Sequence, residues 1–274
     1  MQTENYPFAV RLIGFLPDDA RRLALQLAQS AAAGPAFFCL SDDSLQDPDL
    51  LIANGDELKA LAALAALSQG DLRPALILGA PALDLPYPNL AKPADTDSIH
   101  AELGQLVLRR ADAFAKLAAA GTAPMPERRL RERLDFDLTD PAEYEARRRH
   151  GARGAVLVVD RNSVFSQHLA ALLQPYGIPA LNVGGETEAV LTCAARAVAV
   201  VLINTALTAV DPYRLCAALK DGGGPLQPAV VLLVAPPFVY DAVRGRVAGA
   251  EGLLDRPVAD HHLRAVLKKL MSIT

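Results

Sequence analysis

The stretch Ala155-Val156-Leu157-Val158-Val159-Asp160-Arg161-Asn162-Ser163 decides the reading of the fold. Its first five residues form an unbroken, valine-rich apolar run, the pattern of a strand buried on both faces. The polar residues that close it read as a loop and helix N-cap. Val164, Phe165, Leu169, Leu172, Leu173 and Tyr176 then recur at helical spacing, and Gly177 stops that helix. The same alternation continues downstream. Further strands are expected over 178–183, 198–203 (ending at Asn204), 228–234 and 252–254, with helices over 187–195, 211–219, 238–247 and 260–270. Asp211-Pro212 opens one of these helices with proline at the first helical position. Continuous apolar strands separated by helices imply a parallel sheet covered on both faces.

The N-terminal half repeats this order less clearly. Strands are expected over 10–15, 36–40, 50–53, 75–78 and 89–91, with helices over 18–32, 57–67 and 96–120. The helix due between Leu40 and Pro48 reads as shortened or lost. Between the halves, Pro124 and Pro126 break the preceding helix, and a heavily charged segment follows. Asp140-Pro141 with Glu143 reads as a helix start with a capping box. Residues 1–120 and 154–274 are therefore taken as two domains, and residues 121–153 as a charged, partly helical linker.

Bulk properties agree. A chain of 274 residues suits two cores, and its 51% apolar and 21% charged residues make both feasible. A net charge of −4 argues against electrostatic capture of nucleic acid by the whole surface. Cys39, Cys193 and Cys216 have no metal-ligand spacing and read as reduced, buried thiols. The N-terminus MQTENYPF lacks the features of a signal peptide, and no apolar run reaches the roughly 20 residues of a membrane span. A cytoplasmic protein is expected.

The run Gly249-Ala250-Glu251-Gly252-Leu253-Leu254-Asp255-Arg256-Pro257 resembles the Gly-Ala-x-Gly-x-Leu-x-Lys-Pro motif of response-regulator receiver domains. Val156 to Asp160 matches that family's first strand, and Asp211 stands seven places after the phosphoacceptor position, as in the family. The resemblance covers about residues 154–270. In the N-terminal half, Pro48-Asp49-Leu50-Leu51-Ile52-Ala53-Asn54 is similar to the family's Pro-Asp-Leu-x-x-x-Asp strand, and Ala91-Lys92-Pro93 to its Lys-Pro. That likeness covers about residues 8–118. It implies an α/β protein of two tandem flavodoxin-like (βα)5 domains with parallel sheet order 2-1-3-4-5.

Receiver chemistry needs an aspartate nucleophile, acidic residues after the first strand to hold Mg²⁺, a hydroxyl after the fourth strand and a lysine after the fifth. Carried onto this chain, the nucleophile positions are Asn54 and Asn204. A neutral amide is a far poorer nucleophile than a carboxylate. In the C-terminal half the acidic pair reduces to Asp160 beside Arg161, the hydroxyl position falls at Val234 (or Ala235), and Arg256 replaces lysine. In the N-terminal half the acidic pair aligns with Gly14 and Phe15, the hydroxyl position is Gly79, and Lys92 remains. Asp160 reads either as a residual cation ligand or as a local hydrogen-bonding residue at the strand-to-helix turn.

The resemblance thus implies two degenerate receivers. No catalytic residue, metal or cofactor is expected in either. The implied function is phosphorylation-independent signalling or scaffolding through protein partners of a bacterial two-component pathway. Docking or homodimerisation would use the face that receivers build from their fourth helix, fifth strand and fifth helix. Here that is about residues 238–270, with a counterpart near 81–108. An alternative is a receptor for a nucleotide second messenger such as cyclic di-GMP. Arg128, Arg129, Arg147, Arg148, Arg149 and Arg153 of the linker would clamp its phosphates, although neighbouring acids nearly cancel their charge.

Overall fold

A computed structural model of the chain describes residues 7–29, 34–83, 85–120 and 154–271. They fall into two compact units, the first holding 7–42 and 47–120, the second 43–46 and 154–271. In the first unit the elements are β1 (Phe8–Ile13), α1 (Pro17–Ala28), β2 (Phe37–Cys39), β3 (Leu50–Asn54), α2 (Leu58–Leu67), β4 (Ala75–Leu78), β5 (Asn89–Leu90) and α3 (Thr96–Ala119). In the second they are β6 (Ala155–Val159), α4 (Val164–Leu173), β7 (Ala180–Val183), α5 (Glu186–Ala195), β8 (Val198–Asn204), α6 (Pro212–Asp221), β9 (Ala229–Val234), α7 (Ala242–Val247), β10 (Gly252–Asp255) and α8 (Asp260–Met271).

All ten strands pair in parallel, and the two sheets run β2-β1-β3-β4-β5 and β7-β6-β8-β9-β10. Both are the flavodoxin-like order 2-1-3-4-5. The order follows from burial. β8 is buried at every one of its seven residues, whereas β7, at an edge, is only partly covered. Alternate side chains of each inner strand then enter opposite cores. In the second unit Leu157, Val159, Val201, Ile203 and Leu232 pack with Ala189 of α5 and Leu215 and Cys216 of α6. Val156, Val158, Val200, Leu202 and Leu233 pack with Leu169 of α4 and Leu263, Val266 and Leu267 of α8.

Strand–helix alternation is complete in the second unit but not in the first. Among the described residues, 40–49 and 79–88 carry no helix, so three helices serve five strands. The first gap was legible in the sequence; the second corrects the placement of a helix-bearing face near 81–108. Pro81, Pro86 and Pro88 remove the backbone donors a helix there would need. One face of the first sheet is packed by Leu23 and Leu27 of α1 and Ile99, Leu103 and Leu106 of α3. The other is packed by Leu61, Leu64 and Leu67 of α2, together with Leu85 and Tyr87 of the non-helical stretch. Asp49, the residue before β3, accepts from the Ala9 N–H and pairs with Arg110 of α3 at 2.6 Å. Burial pushes the Arg110 pKa down, and the Asp49 charge opposes that shift.

Caps fix the ends of the site-bearing elements. Asp211 accepts from the N–H groups of Tyr213 and Arg214 and so starts α6. Asp241 does the same for α7, and Asp95 for α3. Among the described residues no helix is long and apolar enough to cross a membrane.

Leu202 is fully buried and Val239 is 85% exposed. Leu202→Ala should therefore cost about 2–5 kcal/mol of unfolding free energy, and Val239→Thr no more than about 0.5 kcal/mol. Urea denaturation of the two variants checks the contrast.

Candidate functional site

In an open parallel sheet, chemistry gathers at the carboxyl ends of the strands. In each unit the third strand in sequence is central, and it ends on asparagine: β3 on Asn54, β8 on Asn204. The two side chains are used alike. The Asn54 Oδ1 accepts from the Asp56 N–H at 3.2 Å, and the Asn204 Oδ1 from the Ala206 N–H at 3.1 Å. The Nδ2 groups reach across to the end of the unit's first strand. Asn54 Nδ2 donates to the Gly14 carbonyl at 2.8 Å, and Asn204 Nδ2 to Asp160 Oδ2 at 2.7 Å. Each amide therefore closes a turn in its own chain and ties two neighbouring strand ends together.

The second unit buries this contact. Asp160 and Asn204 are each 7% exposed. The other carboxylate oxygen of Asp160 accepts from the Asn162 N–H at 3.0 Å, and the Asp160 carbonyl accepts from Asn182 Nδ2. Both carboxylate oxygens thus already have protein donors, and one of these donors is the amide at the acceptor position. Val234 places a buried apolar side chain at the hydroxyl position, and its carbonyl accepts from the Arg256 N–H at 2.7 Å. Arg161 is exposed on the turn after β6. Asp160 and Asn204 are brought into direct contact; among the described residues no ion pair joins Arg161 or Arg256 to them. A hydroxyl does lie close by, one residue past Asn204, where Thr205 Oγ1 donates to the Leu233 carbonyl at 2.9 Å.

In the first unit a cation and an acid meet beside Asn54. Lys92 Nζ donates to Asn54 Oδ1 and also to Asp56 Oδ2, the latter at 2.9 Å. It lies 5.2 Å from the centre of the Phe15 ring. Asp56 Oδ1 accepts from the Ala80 N–H at 2.9 Å. This bond, and then Lys92, hold the Asp56 carboxyl below the usual carboxylate range. Because the folded pKa is lowered, the contribution of Asp56 to stability is complete above the ordinary carboxylate range. It is lost as pH falls through the lower folded value. Gly79, at the hydroxyl position, has φ +117°, and a Cβ there would lie 2.6 Å from Asp56 Oδ1. Gly14, in place of an acid, has φ +73°. Asn54, Gly14, Phe15, Gly79 and Lys92 meet at one edge, and Asp56 joins them.

The linker arginines Arg128, Arg129, Arg147, Arg148, Arg149 and Arg153 lie outside the described residues, as do the short helices expected there. Cys193 and Cys216 are buried, and burial pushes both thiols up to about 11, far from a reactive thiolate.

No protein-family model matches the chain. Protein PilG of Pseudomonas aeruginosa is 20% identical over 113 residues, which is 41% of this chain and 84% of PilG. Among solved structures, the receiver domain of a sensor histidine kinase from Pseudomonas aeruginosa PAO1, with magnesium coordinated in its active-site cleft, is 19% identical. It covers 43% of this chain and 98% of its own, with a TM-score of 0.38. A receiver domain of a signal transduction histidine kinase from Syntrophus aciditrophicus is 27% identical, covering 43% and 90%, with a TM-score of 0.35.

Asn204→Asp would set two carboxylates where a charge-assisted hydrogen bond now stands. Near neutral pH the variant should lose about 3 kcal/mol or more of stability. Like-charge repulsion raises the pair's affinity for a proton, so the loss should shrink as pH is lowered. Mg²⁺, which takes oxygen ligands, should restore part of it. Thermal denaturation across pH, with and without Mg²⁺, checks this; an equally stable, Mg²⁺-insensitive variant contradicts it.

Proposed function

We propose that the chain is a signalling or scaffold protein of two-component type, acting in the cytoplasm through protein–protein interaction and without phosphorylation of its two receiver-like units. The observation that carries this reading is the state of Asn54 and Asn204. Each holds the place of a nucleophile with an amide whose Oδ1 and Nδ2 are both committed to internal bonds. The remaining receiver chemistry is missing around them. Gly14 and Phe15 supply no carboxylate to a cation, Asp160 is satisfied by protein donors, and Gly79 and Val234 supply no hydroxyl.

The surface favours the second unit as the docking element. Val239, Val243 and Val247, at and just before α7, are 85%, 63% and 85% exposed. Val243 and Val247, four residues apart, share one face of α7, and Val239 lies in the loop before it. Arg244 and Arg246 flank them, and Arg244 lies over the Tyr213 ring at 4.4 Å, so the stripe has a polar border. A stripe of this kind, with β10 and α8 beside it in the chain, suits a protein partner or a second copy of the same face. Among the described residues the first unit has no helix at the corresponding place.

The test combines chemistry and capture. With acetyl phosphate or beryllofluoride plus Mg²⁺, the intact mass and the melting temperature should stay unchanged. Partner capture from native extract should be equal with and without phosphodonor and should fall at least about tenfold for Val243→Arg. A stoichiometric phosphoryl adduct, or capture that requires the phosphodonor, would overturn the proposal.

A further inference from the structure

β10 ends its sheet, with β9 on one side. An edge strand presents a row of backbone donors and acceptors that another extended chain can pair. Along the other side of β10 lie residues 43–46, which belong to the second unit. Ser44 faces Leu253 as a single parallel bridge, and the Leu45 N–H donates to the Leu253 carbonyl at 2.9 Å. The Asp255 N–H donates to Gln46 Oε1 at 2.7 Å, so a side-chain amide stands where a longer ladder would place a main-chain carbonyl. The side chains are fitted as closely as the backbone. Gln46 is 1% exposed, and Leu45 packs on the core that holds Leu254, Leu263 and Leu267. Gly252 has a φ of +151°, and a Cβ there would lie 2.8 Å from the Leu45 Cγ, so the glycine provides the room that the leucine takes.

We infer that the outer edge of β10 is a strand-addition site for an extended segment carrying leucine followed by glutamine, and that Ser44-Leu45-Gln46 is its resident occupant, which a partner's segment of the same chemistry displaces. Strand addition draws affinity from main-chain bonds and specificity from the places given to side chains. Both are present here: the Leu253 carbonyl for the backbone, the room over Gly252 for leucine and the Asp255 N–H for the glutamine amide. The resident is suited to exchange. It makes one ladder pair rather than a strand, and Asp42, Asp43 and Asp47 around it are exposed. In the chain β10 stands between α7 and α8, so the assignment of a protein partner as the incoming occupant rests on the docking role proposed for these elements. While the resident is in place, an incoming segment competes with a tethered rival whose effective concentration is at least about millimolar. The edge is thereby closed to stray extended peptides, and it opens to a partner whose contacts with the valines of α7 add to the exchange.

A synthetic peptide of residues 41–48, Ser-Asp-Asp-Ser-Leu-Gln-Asp-Pro, is the probe, and the Asp255 amide resonance of the full chain is the readout. In the Leu45→Ser/Gln46→Ser chain, whose resident no longer fits, the peptide should shift that resonance with a midpoint at least about tenfold lower than in the natural chain. A peptide with the same two replacements should shift it in neither chain. Equal midpoints in the two chains, no shift in either, or a shift produced by the replaced peptide would overturn the inference. Should the double variant fail to fold, Gln46→Ala keeps the leucine. Its Asp255 amide should then exchange with deuterium about tenfold faster than in the natural chain, and the peptide should slow it again. Exchange that is unchanged, or that the peptide does not slow, counts equally against the inference. Self-association of the natural chain that Gln46→Ala abolishes would assign the edge to a second copy and overturn it too. The titration needs neither phosphodonor nor extract, so it can fail while Val243→Arg still lowers capture, and the reverse.

Discussion

One primary amide closes the carboxyl edge of each sheet. A parallel strand buried on both faces must end somewhere, and its last polar groups have to be satisfied at the border between core and solvent. Asn54 and Asn204 do this with both halves of the amide. The oxygen shapes the turn that leaves the strand, and the nitrogen holds the end of the neighbouring first strand. An ionised aspartate could form the turn but would have no N–H for the second contact. In the second unit it would face the Asp160 carboxylate instead. The amide therefore stabilises the edge in both units.

The two units solve the remaining electrostatics in opposite ways. The second keeps its acid after the first strand and neutralises its demand for donors with an amide and a backbone N–H. The first has no acid after β1, but places Asp56 two residues past its asparagine and sets Lys92 against it. Arg256 occupies the position of Lys92 in the second unit, but the place of Asp56 there is taken by Ala206. Each edge thus holds a single carboxylate among these positions, and in each that carboxylate is already bonded to the protein.

Most of the fold was legible because it is written in contiguous residues. The apolar runs 155–159 and 198–203 announce buried strands, and Gly177 and Asp211-Pro212 mark helix ends directly. The edge chemistry was legible only in part. Asn54 and Asn204 were placed by the strands they close, but their bonds to Gly14 and Asp160 span 40 and 44 residues. Asp56 was missed because Asn54-Gly55-Asp56 reads locally as an ordinary turn. Its meaning depends on Ala80, 24 residues away, and Lys92, 36 residues away. Thr205 was missed for a similar reason, since its partner is the Leu233 carbonyl on the next strand. That no helix joins the strands at 75–78 and 89–91 was legible as well, and Pro81, Pro86 and Pro88 give the reason.

The bond between Asn204 and Asp160 is where the shared clamp is most exposed to measurement. Both residues are buried, and the pair combines a charged acceptor with a neutral donor. A double-mutant cycle of Asn204→Ala and Asp160→Ala, read by urea denaturation, isolates that bond from the other contacts of each residue. A coupling energy of about 1.5–3 kcal/mol is expected for a buried hydrogen bond to a charged group. Additive losses, with no coupling, would contradict the clamp and with it the explanation of why asparagine stands at this edge.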